Sequence, residues 1–182
     1  MQWNFSNKKK ILVGRPYSGT AILLKRNLST YAELVFITDR VVVIKIYNYI
    51  IINVYLPYKS LTSRKKIDSI PSELSGIISM HPGYHLIFGG DLNCNIHDKS
   101  PTAFYLQSFM TNYELICHDY NLTSRNVCTY SHATLDHHSY VNFIMTTKYL
   151  KKFISNYDIV DTEVNLFDHT PVLLTLKAGE VF

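Results

Sequence analysis

The stretch from His85 to Asn95 reads HLIFGGDLNCN. A short apolar run and two glycines deliver Asp91 and Asn93 two positions apart. Residues at i and i+2 of an extended chain point to the same side, so both side chains can face one ligand. A carboxylate beside a carboxamide suits a phosphoester. The carboxylate can orient or deprotonate a water, and the amide can donate to a phosphoryl oxygen without adding charge. The plainer use of the same residues is an Asp/Asn turn closing a strand. Asp168 and His169 stand directly before the apolar run PVLLTL. A carboxylate there can hold a hard divalent cation while the imidazole contacts a phosphate; a surface turn entering an edge strand is the alternative. Asn142, inside SYVNFIM, and His138 could reach the same rim, or serve as polar positions on a half-buried strand. Cys128, His132, His137 and His138 are dense enough to suggest zinc. C-x₃-H followed by His-His matches no standard four-ligand spacing, so a polar, His-rich loop is expected instead.

These residues need rigid elements to position them, and the chain can supply them. Its 182 residues suffice for one domain with a substantial core, so 1–182 is taken as a single unit. A composition of 47% hydrophobic and 18% charged residues excludes a disordered chain. The net charge of +4 is compatible with a phosphate-rich partner and does not single one out. Lys8–Lys10, Arg64–Lys66 and Lys148–Lys152 are short basic clusters able to track phosphates or simply to stay solvated. Three widely spaced cysteines form no even-numbered disulfide framework, and the N-terminus has no run long enough for a signal peptide. The longest apolar run, Tyr49 to Leu56, is too short to span a membrane. An intracellular protein without a membrane segment is expected.

Thr20–Lys25 (TAILLK) reads as a short buried strand. Arg40–Ile46 and Tyr49–Tyr55 are β-branched runs separated by Tyr47 and Asn48, which predicts a hairpin ended by Leu56-Pro57. Ser60–Met80 has helical spacing that Pro71 should break or restart. His85–Phe88 is a further strand. Pro101 should open a helix capped by Ser100 that buries Phe104, Phe109, Met110 and Tyr113. Tyr140–Met145 and Pro171–Leu176 complete the set as late core strands. Strands alternating with helices indicate a layered α/β domain.

NVYLPY, then GGDLN, then SYVNFIM, then DHTPV, each at or beside a strand and in this order, resembles the endonuclease/exonuclease/phosphatase superfamily. The apurinic-type endonuclease domain of non-LTR retrotransposons is the nearest type, and the likeness runs from Gly14 to Leu176. That resemblance implies a four-layer, deoxyribonuclease-I-like α/β sandwich that hydrolyses DNA phosphodiesters with a divalent metal, usually Mg²⁺. By motif, Tyr55 would approach the scissile phosphate, Asp91 would activate the attacking water and Asn93 would bind a phosphate oxygen. Asp168 would hold the metal and His169 would contact the phosphate. Thr129-Tyr130 resembles a position near the DNA surface. A reverse-transcriptase domain in a longer parent protein, and a nuclear location, are further implications.

Three departures fall in the implied active centre. The family begins with strands bearing an Asn and a metal-binding Glu, whereas this chain has no Asp or Glu before Glu33. Its first strands are therefore expected to be lacking. Asn142 replaces the Asp that pairs with the histidine, and an amide orients an imidazole without stabilising its charge. Phe167 replaces the Ser before Asp-His. The expectation is impaired hydrolysis, with a catalytically dead nucleic-acid-binding remnant as the alternative.

Overall fold

A computed structural model describes residues 19–57, 64–118, 128–132, 134–160 and 167–177, with only the backbone of 64–69. The sequence expectations for Lys8–Lys10, the side chains of Arg64–Lys66 and the segment before Gly19 lie outside the described residues. Strands β1 (Ala32–Ile37), β2 (Val41–Ile46), β3 (Tyr49–Tyr55), β4 (His85–Asp91), β5 (Leu115–Cys117) and β8 (Asn142–Thr147) form one mixed sheet ordered β1-β2-β3-β4-β8-β5. β3 and β4 run parallel; the other neighbours are antiparallel. The expected hairpin is the β2–β3 pair, closed by Tyr47 at φ +53° and Asn48, with Ile46 opposite Tyr49.

One face of this sheet carries Val41, Val43, Ile50, Ile52, Val54, Leu86, Phe88, Phe143 and Met145. They form the main core with helices α2 (Arg64–Ser79) and α3 (Pro101–Asn112). Such an apolar layer is the main stabilising term of the fold. The other face is smaller. Ile46, Tyr49, Ile51 and Ile87 pack there with Leu150 and Phe153 of a 3-10 helix (Lys148–Phe153) and with Leu176 of β10 (Val172–Leu176). β10 pairs with β9 (Ile154–Ile159) in a separate two-stranded sheet, and β6 (Tyr130–His132) pairs with β7 (His137–Ser139) in a hairpin.

Several sequence expectations need correction. Thr20–Lys25 joins no strand ladder among the described residues and leads into a four-residue helix, α1 (Arg26–Ser29). Its exposure alternates as in a strand, but the β-side contact found is a single hydrogen bond from Asn53 Nδ2 to the Ala21 carbonyl, 2.9 Å. Pro71 does not break α2, which runs through it. Ile70, Pro71, Leu74 and Ile77 are all buried on one face. Their shared burial outweighs a proline penalty of about 3 kcal/mol. α3 starts where expected, with Ser100 Oγ accepting from the Ala103 N–H at 3.2 Å. It buries Ala103, Leu106 and Phe109, while Phe104 is 55% exposed because it lies on the opposite side of the turn. Among the described residues β10 pairs with β9 alone and Leu173 is exposed, so it is not an interior strand there.

Candidate phosphodiester site at one rim of the sheet

Strand register assembles the site. β3 and β4 place Tyr55 opposite Asp91, and β4 and β8 place Asp91 opposite Asn142. Directly opposed residues of neighbouring strands project to the same face. Tyr55, Asp91 and Asn142 therefore form one row on the sheet's smaller-core face, at the end where β3 and β4 both terminate. Gly90 makes the approach possible. Its φ is +138°, and a Cβ there would lie 2.0 Å from the Val54 carbonyl oxygen. Only glycine permits both that conformation and that closeness.

Asp91 accepts at Oδ1 from the Asn93 backbone N–H, 3.0 Å, the Asx turn that the sequence allowed. Asn93 has φ +44°, a left-handed conformation asparagine tolerates. Its Nδ2 donates to the Leu56 carbonyl at 2.8 Å and to Asp91 Oδ2 at 3.3 Å. In this arrangement Asn93 locks the β4 exit against the β3 exit and holds the Asp91 carboxylate. Burial pushes the Asp91 carboxyl above its usual range. The Asn93 N–H and the nearby His169 oppose that rise, and the Asp168 charge adds to it. Asp168 and His169 are thus electrostatic neighbours of Asp91 despite a separation of more than 70 residues in the chain.

His169 is fixed from three sides. Its Nδ1 lies 3.0 Å from Asn142 Nδ2 and 3.2 Å from Asn142 Oδ1. The amide donates to Nδ1 when that nitrogen is bare and accepts from it when protonated, so the pair fits either tautomer. With Asn142 donating, the neutral ring carries its proton on Nε2, turned away from the amide. The Tyr130 ring packs against the imidazole with centroids 4.9 Å apart. Backbone bonds hold the loop: Ser131 N–H donates to the Asp168 carbonyl at 2.8 Å and Thr170 N–H to the Thr129 carbonyl at 2.9 Å.

Thr129 is the fastener that sequence reasoning did not identify as such. It is fully buried, and its Oγ1 accepts from both the Val141 and Asn142 N–H groups at 2.9 Å. Through its hydroxyl and its carbonyl, this one residue ties the start of β8, and hence Asn142, to the loop carrying Asp168 and His169. Its signal in sequence was limited to the Thr129-Tyr130 pair. Arg40 is the other residue not foreseen. It precedes β2, its carbonyl accepts from the Tyr55 N–H at 2.8 Å, and its guanidinium lies over the Tyr55 ring, 5.1 Å from the centroid. Counting outward from the Tyr47-Asn48 turn would have paired Arg40 with Tyr55.

Tyr55, Asp91, Asn93, Asn142, Asp168 and His169 are thus gathered at one rim. The Cys128/His132/His137/His138 group is not gathered as a metal centre. Ser131 Oγ lies 3.0 Å from His138 Nδ1, Asp136 lies 3.3 Å from its Nε2, and His132 Nδ1 accepts from the Leu135 N–H. Lys151 and Lys152 sit on the 3-10 helix at the far end of the sheet, where Lys152 lies over the Tyr149 ring at 4.2 Å. Among the described residues no three His, Cys, Asp or Glu side chains are grouped to hold a metal. Asp91 and Asp168 supply hard oxygen donors at the rim, but Asp91 is committed to Asn93. The described donors alone do not build a metal centre. No helix among the described residues is long and apolar enough to cross a membrane.

No protein-family model matches this chain, and no curated protein matches it. Among solved structures it is similar to the endonuclease domain of TRAS1, a telomere-specific non-LTR retrotransposon, with a TM-score of 0.64 and 17% identity. The match covers 80% of this chain and 66% of that one, so the chain spans about two thirds of its neighbour's length. At that identity the likeness shows the fold. A six-stranded mixed sheet flanked by helices is the deoxyribonuclease-I-like α/β architecture expected from the sequence.

Proposed function

We propose that this chain is a DNA phosphodiesterase of the retrotransposon endonuclease type, attenuated by its active-centre substitutions. The observation that carries the reading is the row Tyr55–Asp91–Asn142, continued through Asn142 to His169, on a fold shared with such an endonuclease. Asp91, made more basic by burial, orients and deprotonates the attacking water. Asn93 fixes the carboxylate that does so. His169 presents Nε2 to a non-bridging phosphate oxygen and meets the negative charge that develops there. Tyr55 borders the phosphate on the side away from Asn142.

Asn142 is the main source of attenuation. An amide orients the ring but leaves a protonated imidazole without a countercharge, a loss worth roughly two to four decades in rate by analogy with catalytic triads. Mg²⁺ is the cation the resemblance implies, with Asp168 as its named ligand and Lewis-acid neutralisation of the phosphate as its contribution. Nuclear DNA is the proposed substrate, and a reverse-transcriptase domain in a longer parent the proposed partner. A remnant that binds DNA without cutting it is the second reading, favoured by the absence of a three-ligand group among the described residues.

Supercoiled-plasmid nicking in Mg²⁺ or Mn²⁺ separates the two. Slow nicking that Asp91→Ala abolishes is the expected result. Salt-dependent DNA binding with no nicking in either metal would overturn the enzyme reading in favour of the remnant.

A further inference from the structure

Buried polar groups are normally hydrogen-bonded, and a buried cation left alone is costly. Among the described residues, the buried side-chain nitrogens and oxygens without a partner belong to Thr20 and Arg40, and Arg40 contributes two of them, Nε and Nη1. Its guanidinium carbon lies 5.1 Å from the Tyr55 ring centroid, a cation–π contact that restrains the group without using any of its N–H donors. Arg40 stands beside Tyr55 as Tyr55 stands beside Asp91, so it extends the site's row by one strand. With neighbouring strands about 4.8 Å apart, its Cα lies roughly 10 Å from that of Asp91. An arginine side chain covers most of that span, and its fork is shaped for two oxygens of one phosphate. Asp39 is next in sequence but forms no bond with it, and the row's carboxylate, Asp91, is occupied by Asn93.

We propose that Arg40 is a substrate-positioning residue that grips a DNA backbone phosphate on the Tyr55 side of Asp91. The inference rests on the phosphodiesterase reading and adds to it a residue outside the motif set. A phosphate supplies the acceptor these two N–H groups lack once the half-buried guanidinium turns them outward, and it meets a fixed positive charge at the end of the row away from His169. Tyr55 then acts as the platform that aims the guanidinium. An internal structural arginine would behave differently, because its loss would leave a partner unpaired.

Duplex-oligonucleotide binding, measured by anisotropy across a salt series in the Asp91→Ala background, tests this without cleavage. Arg40→Met is expected to weaken binding about tenfold and to lower the log–log salt slope by roughly 0.9, the change for one lost phosphate contact. Arg40→Lys should keep the slope and lose part of the affinity, since charge persists without the fork. The melting temperature of free Arg40→Met should not fall. Unchanged affinity and slope would overturn the proposal, as would an Arg40→Met chain that melts several degrees lower or fails to fold while Arg40→Lys binds DNA like the parent. Absence of any salt-dependent binding by the parent overturns both this proposal and the nuclease reading. Arginine-dependent binding without nicking by the chain bearing Asp91 overturns the nuclease reading alone.

Discussion

The two ends of a single sheet face are built on opposite principles. At one end Ile46, Tyr49 and His85 are aligned by the same strand registers that align Arg40, Tyr55 and Asp91 at the other, six residues further along β3. The Tyr49 end is filled. His85 stacks on Tyr149 with centroids 4.5 Å apart and rings nearly parallel, and Leu150 and Phe153 close the cluster. The Asp91 end is left polar, with a desolvated carboxylate, a left-handed asparagine and a guanidinium with two buried nitrogens that make no hydrogen bond. The two ends share their strand registers and differ in side chains and in the backbone at Gly90 and Asn93, both at positive φ. One end contributes stability, and the other keeps polar groups whose burial costs stability.

Mutation at each end should move different observables. Asp91→Ala should cut nicking by about two to four decades, since it removes the proposed general base. Its melting temperature should hold or rise. Leu150→Ala, at a side chain with no exposure, should cost about 2–5 kcal/mol in urea unfolding, as deleted core methyls do. Nicking per folded molecule should stay the same. If Leu150→Ala silenced nicking without unfolding the chain, the separation between the ends would fail. Asn142→Asp should raise nicking by about 10²-fold, because a carboxylate at His169 Nδ1 stabilises the imidazolium, which keeps a proton on Nε2 for the phosphate. A rate unchanged in Asn142→Asp would show that attenuation has another source. Thr129→Val strips an acceptor from two backbone N–H groups and should cost about 1–3 kcal/mol. Nicking should drop with it, since Asn142 and the His169 loop lose their common anchor.

The smallest effects are in pH. Burial holds the His85 imidazole below its ordinary value of 6.5, so the unfolded chain binds the proton more readily. Stability contributed there is lost as pH falls below about 6.5. Asp91 titrates above its ordinary 3.8, so its contribution is present below that value and lost as pH rises through its raised pKa. Asp91→Asn should therefore melt about 2 °C higher at neutral pH, and chemical denaturation across pH 4–8 would detect both trends. An Asp91→Asn chain that melts lower would show that the carboxylate is better satisfied than its burial indicates.

Local physics wrote much of this into the sequence. The β2–β3 hairpin follows from two β-branched runs around a two-residue turn, and α3 follows from a Ser cap before a proline. Asp91-x-Asn93 and Asp168-His169 were identifiable as site candidates because chemistry-bearing types stood beside strand ends. Pro71 was misjudged because propensity is a local preference that burial of a shared helix face overrides, and Thr20–Lys25 because an alternating pattern does not supply a strand to pair with among the described residues. Phe104 was misplaced for a related reason: apolar character does not say which side of a helix meets the core.

Residue types and their order along the chain established which groups could do phosphate chemistry. Tertiary structure decided which of them meet. Strand pairing sets Tyr55 beside Asp91 and Asp91 beside Asn142, and Thr129, bonded through its hydroxyl to the start of β8 and through its carbonyl to Thr170, links the His169 loop to that row. The physical reason is that hydrogen-bond register acts between segments far apart in sequence. A single-residue slip in it would send every one of these side chains to the other face of the sheet.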